Sequence, residues 1–158
     1  MTRIAIIGAG SWGTALSIMA ARSGHKVQLW SRDIEVVNSI NESRVNPKYL
    51  SGIKVPNTVS ATDSLEQTLQ EAQLVLLATP SHTARALLIE VKRHIENSAI
   101  IVSVAKGIEI ESSRRISEIV SELMGEQLAE SFVCLSGPSF AREVVDHHPT
   151  AIVAASRN

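Results

Sequence analysis

The 158-residue sequence reads as an α/β protein, a doubly wound, mostly parallel sheet with helices on both faces. Short apolar runs alternate with amphipathic stretches along the chain, an order that builds parallel strands joined by right-handed crossovers. Aromatic residues make up only 3%, and the apolar residues are mostly Ala, Val, Ile and Leu, the filling of a sheet covered on both faces. The first apolar run, Ile4-Ala5-Ile6-Ile7, passes straight into Gly8-Ala9-Gly10-Ser11-Trp12-Gly13 and then into a helical pattern.

Taken in order, Arg3–Ile7 reads as a short buried strand. Thr14–Arg22 reads as a helix with Leu16, Met19 and Ala20 on one face, closed by Ser23-Gly24. Lys26–Trp30 is a second strand, and Asp33 caps a helix carrying Val36, Val37 and Ile40. Residues 44–57, with Pro47, Gly52 and Pro56, read as irregular. Val59–Ala61 is a third strand, and Asp63-Ser64-Leu65-Glu66 is a capping signature for a helix through Leu69. Leu74–Ala78 is a fourth strand and Thr79-Pro80-Ser81 a break. A helix over His82–His94 follows, with Leu87, Leu88, Val91 and Ile95 on its inner side. Ile100–Val104 is a fifth strand. Ser112 or Ser113 caps a helix in which Ile116, Ile119, Val120 and Leu123 recur at helical spacing. Phe132–Leu135 is a sixth strand, Ser136-Gly137-Pro138-Ser139 a turn, Phe140–Val145 a short helix and Ala151–Ala155 a last strand. No repeat or linker divides the chain, so one domain over residues 1–158 is expected.

Composition narrows the partners. Net charge is -1 and Arg114-Arg115 is only a lone basic pair, which argues against nucleic acid and anionic membrane. The single cysteine, Cys134, precludes an internal disulfide and suits a reducing cytoplasm. Ile4–Ile7 is too short for a signal peptide. No apolar run approaches the roughly 18 residues of a membrane helix. A cytoplasmic protein without membrane or nucleic-acid partners is expected.

Gly8-x-Gly10-x-x-Gly13 becomes informative through its position between a strand and a helix, the setting of a Rossmann-type dinucleotide site. Gly8 permits the tight turn, Gly10 lets the backbone approach a pyrophosphate, and Gly13 lets the helix pack on the strand. Free amides and the positive dipole end of the helix then face the phosphates, with Ser11 adding a hydroxyl. Trp12 is either a wedge beside the cofactor or a core residue closing the turn. Where NAD-selective folds carry an acid, about 20 residues after the glycines, the chain has Ser31 and then Arg32. A guanidinium suits a 2′-phosphate, so NADP is expected to bind at least as well as NAD, unless Arg32 is a plain surface charge. Asp33, two residues on, is preferred as a helix cap.

Ligands of open α/β sheets gather at the carboxyl ends of the strands. Three further groups fall there: Thr79-Pro80-Ser81-His82, Ala105-Lys106-Gly107 and Ser136-Gly137-Pro138-Ser139-Phe140-Ala141. Lys106 supplies a cation, and Gly137 and Ser139 a close backbone and a hydroxyl. Each group is alternatively an ordinary turn, and only their convergence favours function. No metal site is expected: His147 and His148 are adjacent, and no His-x-x-x-His spacing or cysteine cluster exists. His82 reads as a first-turn helix residue, His25 as a surface loop residue and His94 as a late helix residue. No Gly-x-Ser-x-Gly elbow supports a serine hydrolase.

The series GAGSWGTAL, LWSRD, PSH, VAKGIE and SGPSFAREV closely resembles the N-terminal domain of the bacterial NAD(P)-dependent glycerol-3-phosphate dehydrogenase family over nearly the whole chain. AKGIE followed some thirty residues later by SGPSFA is the specific part; ketopantoate reductases share only the glycine motif. The resemblance implies reversible reduction of dihydroxyacetone phosphate to sn-glycerol 3-phosphate with NADPH or NADH, for phospholipid synthesis. It implies that Ser11, Trp12, Arg32, Lys106 and Ala141 contact the dinucleotide, and that Lys106, Gly137 and Ser139 contact the triose phosphate. Tyr49 would close over the adenine side. Family members often carry Tyr or Phe where Trp12 stands, which favours a ring near the nicotinamide end. The family's general-base lysine lies in a helical C-terminal domain, beyond Asn158. The catalytic base is therefore expected outside this chain, which alone should bind cofactor without turnover. A homodimer is one assembly open to the full-length protein. Two other readings stay open: a free-standing dinucleotide sensor, and a related reductase acting on another ketone or an imine.

Overall fold

The computed structural model describes residues 1–157 and is built on a seven-stranded sheet. The strands are β1 (Arg3–Ile7), β2 (Lys26–Trp30), β3 (Val45–Asn46), β4 (Leu50–Lys54), β5 (Val59–Thr62), β6 (Leu74–Leu77), β7 (Ile100–Ser103), β8 (Val133–Ser136) and β9 (Val153–Ser156). The helices are α1 (Ser11–Arg22), α2 (Ile34–Asn38), α3 (Leu65–Leu69), α4 (Ala84–Val91), α5 (Ile116–Leu123), α6 (Glu126–Glu130) and α7 (Ala141–Val145). The sheet order is β5-β2-β1-β6-β7-β8-β9. All pairs are parallel except β8 with β9. The chain winds outward from β1 through β2 to β5, then returns across β1 to start β6. That reversal puts the topological switch point between β1 and β6, where such sheets open a crevice. The expected doubly wound sheet is the observed one.

Strand alternation divides the core into two layers. Ile4 and Ile6 face the layer under α1, α2 and α7, with Ile18, Leu29 and Ile40. Ala5 and Ile7 face the layer under α3, α4 and α5, with Leu69, Leu88 and Ile119. Because both faces are covered, β1 is apolar nearly throughout and shows no hydrophobic-polar alternation.

Several local expectations need correction. α1 starts at Ser11, not Thr14, because Gly8 at φ 116° makes the turn alone and Gly10 already serves as N-cap. Residues 44–57 are not irregular: β3 and β4 form an antiparallel hairpin whose Leu50 joins the α1-side core. Arg44 holds it to the sheet by donating to the Val59 carbonyl at 2.8 Å. A two-stranded hairpin is marginal alone, so tertiary contact decides it. The fourth helical segment is shorter than residues 82–94. Ser81–Thr83 forms a 3₁₀ turn, and His94 falls in the turn after α4. The cap of α5 is Arg115, whose backbone N–H donates to the Glu118 carboxylate at 2.8 Å, while the Ser112 hydroxyl is taken by Glu109. α6 was not foreseen, since only Leu128 is buried in it and one apolar residue makes no period. Among the described residues, no helix is long and apolar enough to cross a membrane.

Candidate functional site

The three glycines of the turn have three different physical reasons. A Cβ on Gly8 would lie 2.8 Å from the Ala78 carbonyl oxygen, and its φ of 116° excludes most side chains. A Cβ on Gly13 would fall 1.8 Å from the Gly8 carbonyl oxygen, so α1 rests on the turn only because residue 13 has no side chain. Gly10 has an ordinary φ of -67°, and a Cβ there would meet no atom within 4 Å. Nothing inside the protein demands glycine at position 10.

The open space beside Gly10 faces the start of α1. The first helical bond runs from the Thr14 N–H to the Gly10 carbonyl at 2.9 Å, so the amides of Ser11, Trp12 and Gly13 precede it. No acidic residue occupies the first turn to neutralise the positive end of the 12-residue helix. A cradle that a Cβ would fill, lined by free amides, fits a dinucleotide's diphosphate.

A residue that sequence reasoning missed holds this turn in place. Asn46 is fully buried, and its Nδ2 donates to the Ala9 carbonyl at 2.9 Å and to Thr14 Oγ1 at 2.8 Å. Its Oδ1 has no partner among the described residues. The hairpin grips a second point, because Ser11 Oγ donates to the Tyr49 carbonyl at 2.6 Å. Tyr49 therefore lies by the start of α1, and Ser11's only hydroxyl proton is committed there in this structure. Trp12 is half-buried on the flank of α1. With Leu16, Met19, Val144, His147 and Ile152 it lines a pocket of about 370 Å³.

At the end of β2, Ser31 is buried and its Oγ accepts the Asp33 N–H at 3.1 Å. Arg32 is exposed and makes no hydrogen bond or ion pair with any described residue. It lines a pocket of ≈ 420 Å³ with Trp30, Thr79, Pro80, His82 and Leu87. The Trp30 indole is locked by its bond to the Asp63 carbonyl at 2.9 Å. Asp33 does cap α2, accepting the Glu35 N–H at 3.1 Å. Its other carboxylate oxygen holds Lys48 Nζ at 2.5 Å, and that ammonium keeps the Asp33 carboxyl below its usual range.

Lys106 follows β7, exposed and likewise unpaired among the described residues. Three residues later Glu109 is buried and accepts Arg85 Nε and Nη2 at 2.9 and 3.0 Å, together with the Ser112 hydroxyl. Arg85 also reaches Glu122 at 2.8 Å. The guanidinium holds the Glu109 carboxyl low and pins the loop that carries Lys106. Past β8, a Cβ on Gly137 would lie 2.5 Å from the Ala151 carbonyl oxygen, so the approach of the segment entering β9 already requires glycine there. Ser139 is buried with its hydroxyl turned to the Gly137 carbonyl at 3.5 Å. Ala141 opens α7 and packs on the α1-side core.

The sheet thus carries the glycine turn, Arg32, Lys106 and the Gly137–Ala141 segment on the carboxyl ends of its parallel strands. Arg32 and Lys106 stand on opposite sides of the turn, on strands three spacings apart, about 14 Å at ordinary strand separation.

Comparison with known proteins shows the family and the fold. The sequence profile described as NAD-dependent glycerol-3-phosphate dehydrogenase N-terminus matches residues 3–158. A glycerol-3-phosphate dehydrogenase [NAD(P)+] of Geobacillus kaustophilus is 45% identical over 158 residues, covering 100% of this chain and 46% of the relative. One from Clostridium botulinum is 42% identical, with 100% and 47% covered. The crystal structure of glycerol-3-phosphate dehydrogenase from Coxiella burnetii superposes with a TM-score of 0.91 at 35% identity, over 99% of this chain and 47% of that one. A Synechocystis arogenate dehydrogenase, at 22% identity and a TM-score of 0.64, shares the fold over 86% of this chain. The chain spans about half the length of the curated relatives it matches. On its sequence and on its fold, the chain belongs to the NAD-dependent glycerol-3-phosphate dehydrogenase N-terminus family.

Proposed function

We propose that this chain is the dinucleotide-holding half of an enzyme that interconverts sn-glycerol 3-phosphate and dihydroxyacetone phosphate with NADP or NAD. The observation that carries the reading is the open face at Gly10, a glycine that neither backbone nor packing requires. The bound nicotinamide would supply or accept the hydride. The residues of the chain bind and orient. The turn at Gly8, Gly10 and Gly13, with the Ser11 and Trp12 amides, holds the diphosphate. Arg32, without a partner among the described residues, takes the 2′-phosphate by a charge-assisted bond. Lys106, likewise without a partner among the described residues, meets the carbonyl and phosphate oxygens of the triose phosphate and steadies negative charge there. Gly137 and Ser139 shape the same end, and Ala141 borders the cofactor. The proton that the nascent alkoxide needs comes from a lysine outside this chain, so residues 1–158 bind cofactor without turnover.

The test uses the intact protein with NADPH and three carbonyl substrates: dihydroxyacetone phosphate, ketopantoate and pyrroline-5-carboxylate. Oxidation of NADPH with dihydroxyacetone phosphate alone is expected. Turnover only with one of the other two would overturn the substrate assignment.

A further inference from the structure

We propose that Lys48, on the hairpin between β3 and β4, is a specificity-determining residue that masks Asp33 and sets a second cation beside Arg32, admitting a 2′-phosphate. The inference rests on the placement of the adenosine ribose at the end of β2 given above.

The geometry joins two points that are far apart in sequence. Lys48 Nζ sits 2.5 Å from Asp33 Oδ2, directly after Arg32, and 5.6 Å from the centroid of its neighbour Tyr49. The Tyr49 carbonyl receives the Ser11 hydroxyl at 2.6 Å. Lys48-Tyr49 therefore bridges the end of β2 to the first residue of α1, which is the span between the ribose and the diphosphate of a dinucleotide laid across this edge. Lys48 is also not a loose surface chain. It follows by two residues the buried Asn46, whose amide is bonded to Ala9 inside the glycine turn. Its side chain remains 55% exposed, so a ligand has access to it.

Charge explains what the position does. An ionised acid at the end of the second strand favours NAD, because it accepts from the ribose 2′-hydroxyl and repels a 2′-phosphate. Asp33 is such an acid, one residue past Arg32. With Lys48 in place, Arg32, Asp33 and Lys48 together carry one net positive charge. Without Lys48 they are neutral, facing a phosphate that carries close to two negative charges. Each partner holds the other ionised: Lys48 keeps the Asp33 carboxyl low, and Asp33 keeps the Lys48 ammonium high. The mask therefore persists across neutral pH. Asp33 stays in place because its other oxygen caps α2, and asparagine would cap equally well without the charge.

The experiment titrates NADPH, NADH and adenosine 2′,5′-bisphosphate into the intact protein and into Lys48→Gln, Asp33→Asn, the double variant and Arg32→Ala. Thermal melting confirms that each is folded. Lys48→Gln should weaken NADPH and the bisphosphate about five- to tenfold and leave NADH unchanged or tighter. In the Asp33→Asn background the same change should cost visibly less. Equal weakening of NADPH and NADH, or unchanged NADPH affinity, overturns the role of Lys48. Arg32→Ala separates the two levels: if it lowers the NADPH-to-NADH ratio while Lys48→Gln does not, Lys48 alone is wrong. If Arg32→Ala leaves the ratio untouched, the ribose placement fails and this inference with it.

Discussion

Gly10 and Gly13 occupy one motif for opposite reasons, and single substitutions tell them apart. Gly13→Ala must push α1 off the turn, because the new carbon would sit 1.8 Å from the Gly8 oxygen. A loss of about 2–4 kcal/mol in thermal or urea unfolding is expected, as for other forced overpacking. Gly10→Ala meets no protein atom, so stability should stay within about 1 kcal/mol, the scale of a changed helix cap. NADPH affinity should nevertheless fall at least about tenfold, since the methyl enters the diphosphate cradle. A Gly10→Ala protein that melts early, or binds normally, would contradict the assigned roles. The motif itself was legible in the sequence. The distinction between its members was not, because it depends on what lies beside each Cβ in space.

At the scale of the element, the hairpin is a tertiary object. Its Asn46 replaces what a longer turn would otherwise need to hold the glycines in place, and it bonds residues 37 and 32 positions earlier. Asn46→Ala leaves the buried Ala9 carbonyl with only the longer Thr14 hydroxyl bond at 3.3 Å and should cost about 1–3 kcal/mol, read as a lower urea midpoint. Asn46→Asp should cost more, because it points a carboxylate at the carbonyl it replaces a donor for. The loop carrying Lys106 has its own clamp in Arg85 and Glu109. Arg85 lowers the Glu109 pKa on folding, so the clamp stabilises above the unfolded carboxylate value and fades as pH falls through the folded one. The stability gap between the native protein and Glu109→Gln should therefore be widest near neutrality and close below about pH 4. A gap independent of pH in urea titrations would show that the charge on Glu109 is not what matters.

For the whole molecule, sheet order separates Arg32 from Lys106. β2 lies on one side of β1, and β7 lies beyond β6 on the other. Arg32 should then serve the adenosine half of a dinucleotide and Lys106 the nicotinamide and substrate half. Arg32→Ala is expected to weaken adenosine 2′,5′-bisphosphate by about 1.5–3 kcal/mol, as for a lost charged hydrogen bond. Lys106→Ala should leave that ligand alone while raising KM for the triose phosphate. Calorimetry with each ligand checks this, and an effect of Lys106→Ala on the bisphosphate would place the two halves wrongly. The last strand, β9, runs against its neighbour and leaves all four residues exposed at the edge of the sheet. The approach of the segment entering it is what makes glycine obligatory at position 137.

Local chemistry alone determined the alternating order, the two-sided burial of β1, the strand-to-helix glycine turn, the Asp33 cap and the candidate cations Arg32 and Lys106. Each of these is written in neighbouring residues, through periodicity or through a conformation only one residue type adopts. The tertiary structure decided the hairpin, the grip of Asn46, the pairing of Lys48 with Asp33 and the clamp of Arg85 on Glu109. The last three join residues 15 to 37 positions apart in the chain. Such contacts have no period to read, because their energy exists only once the sheet has brought the partners together.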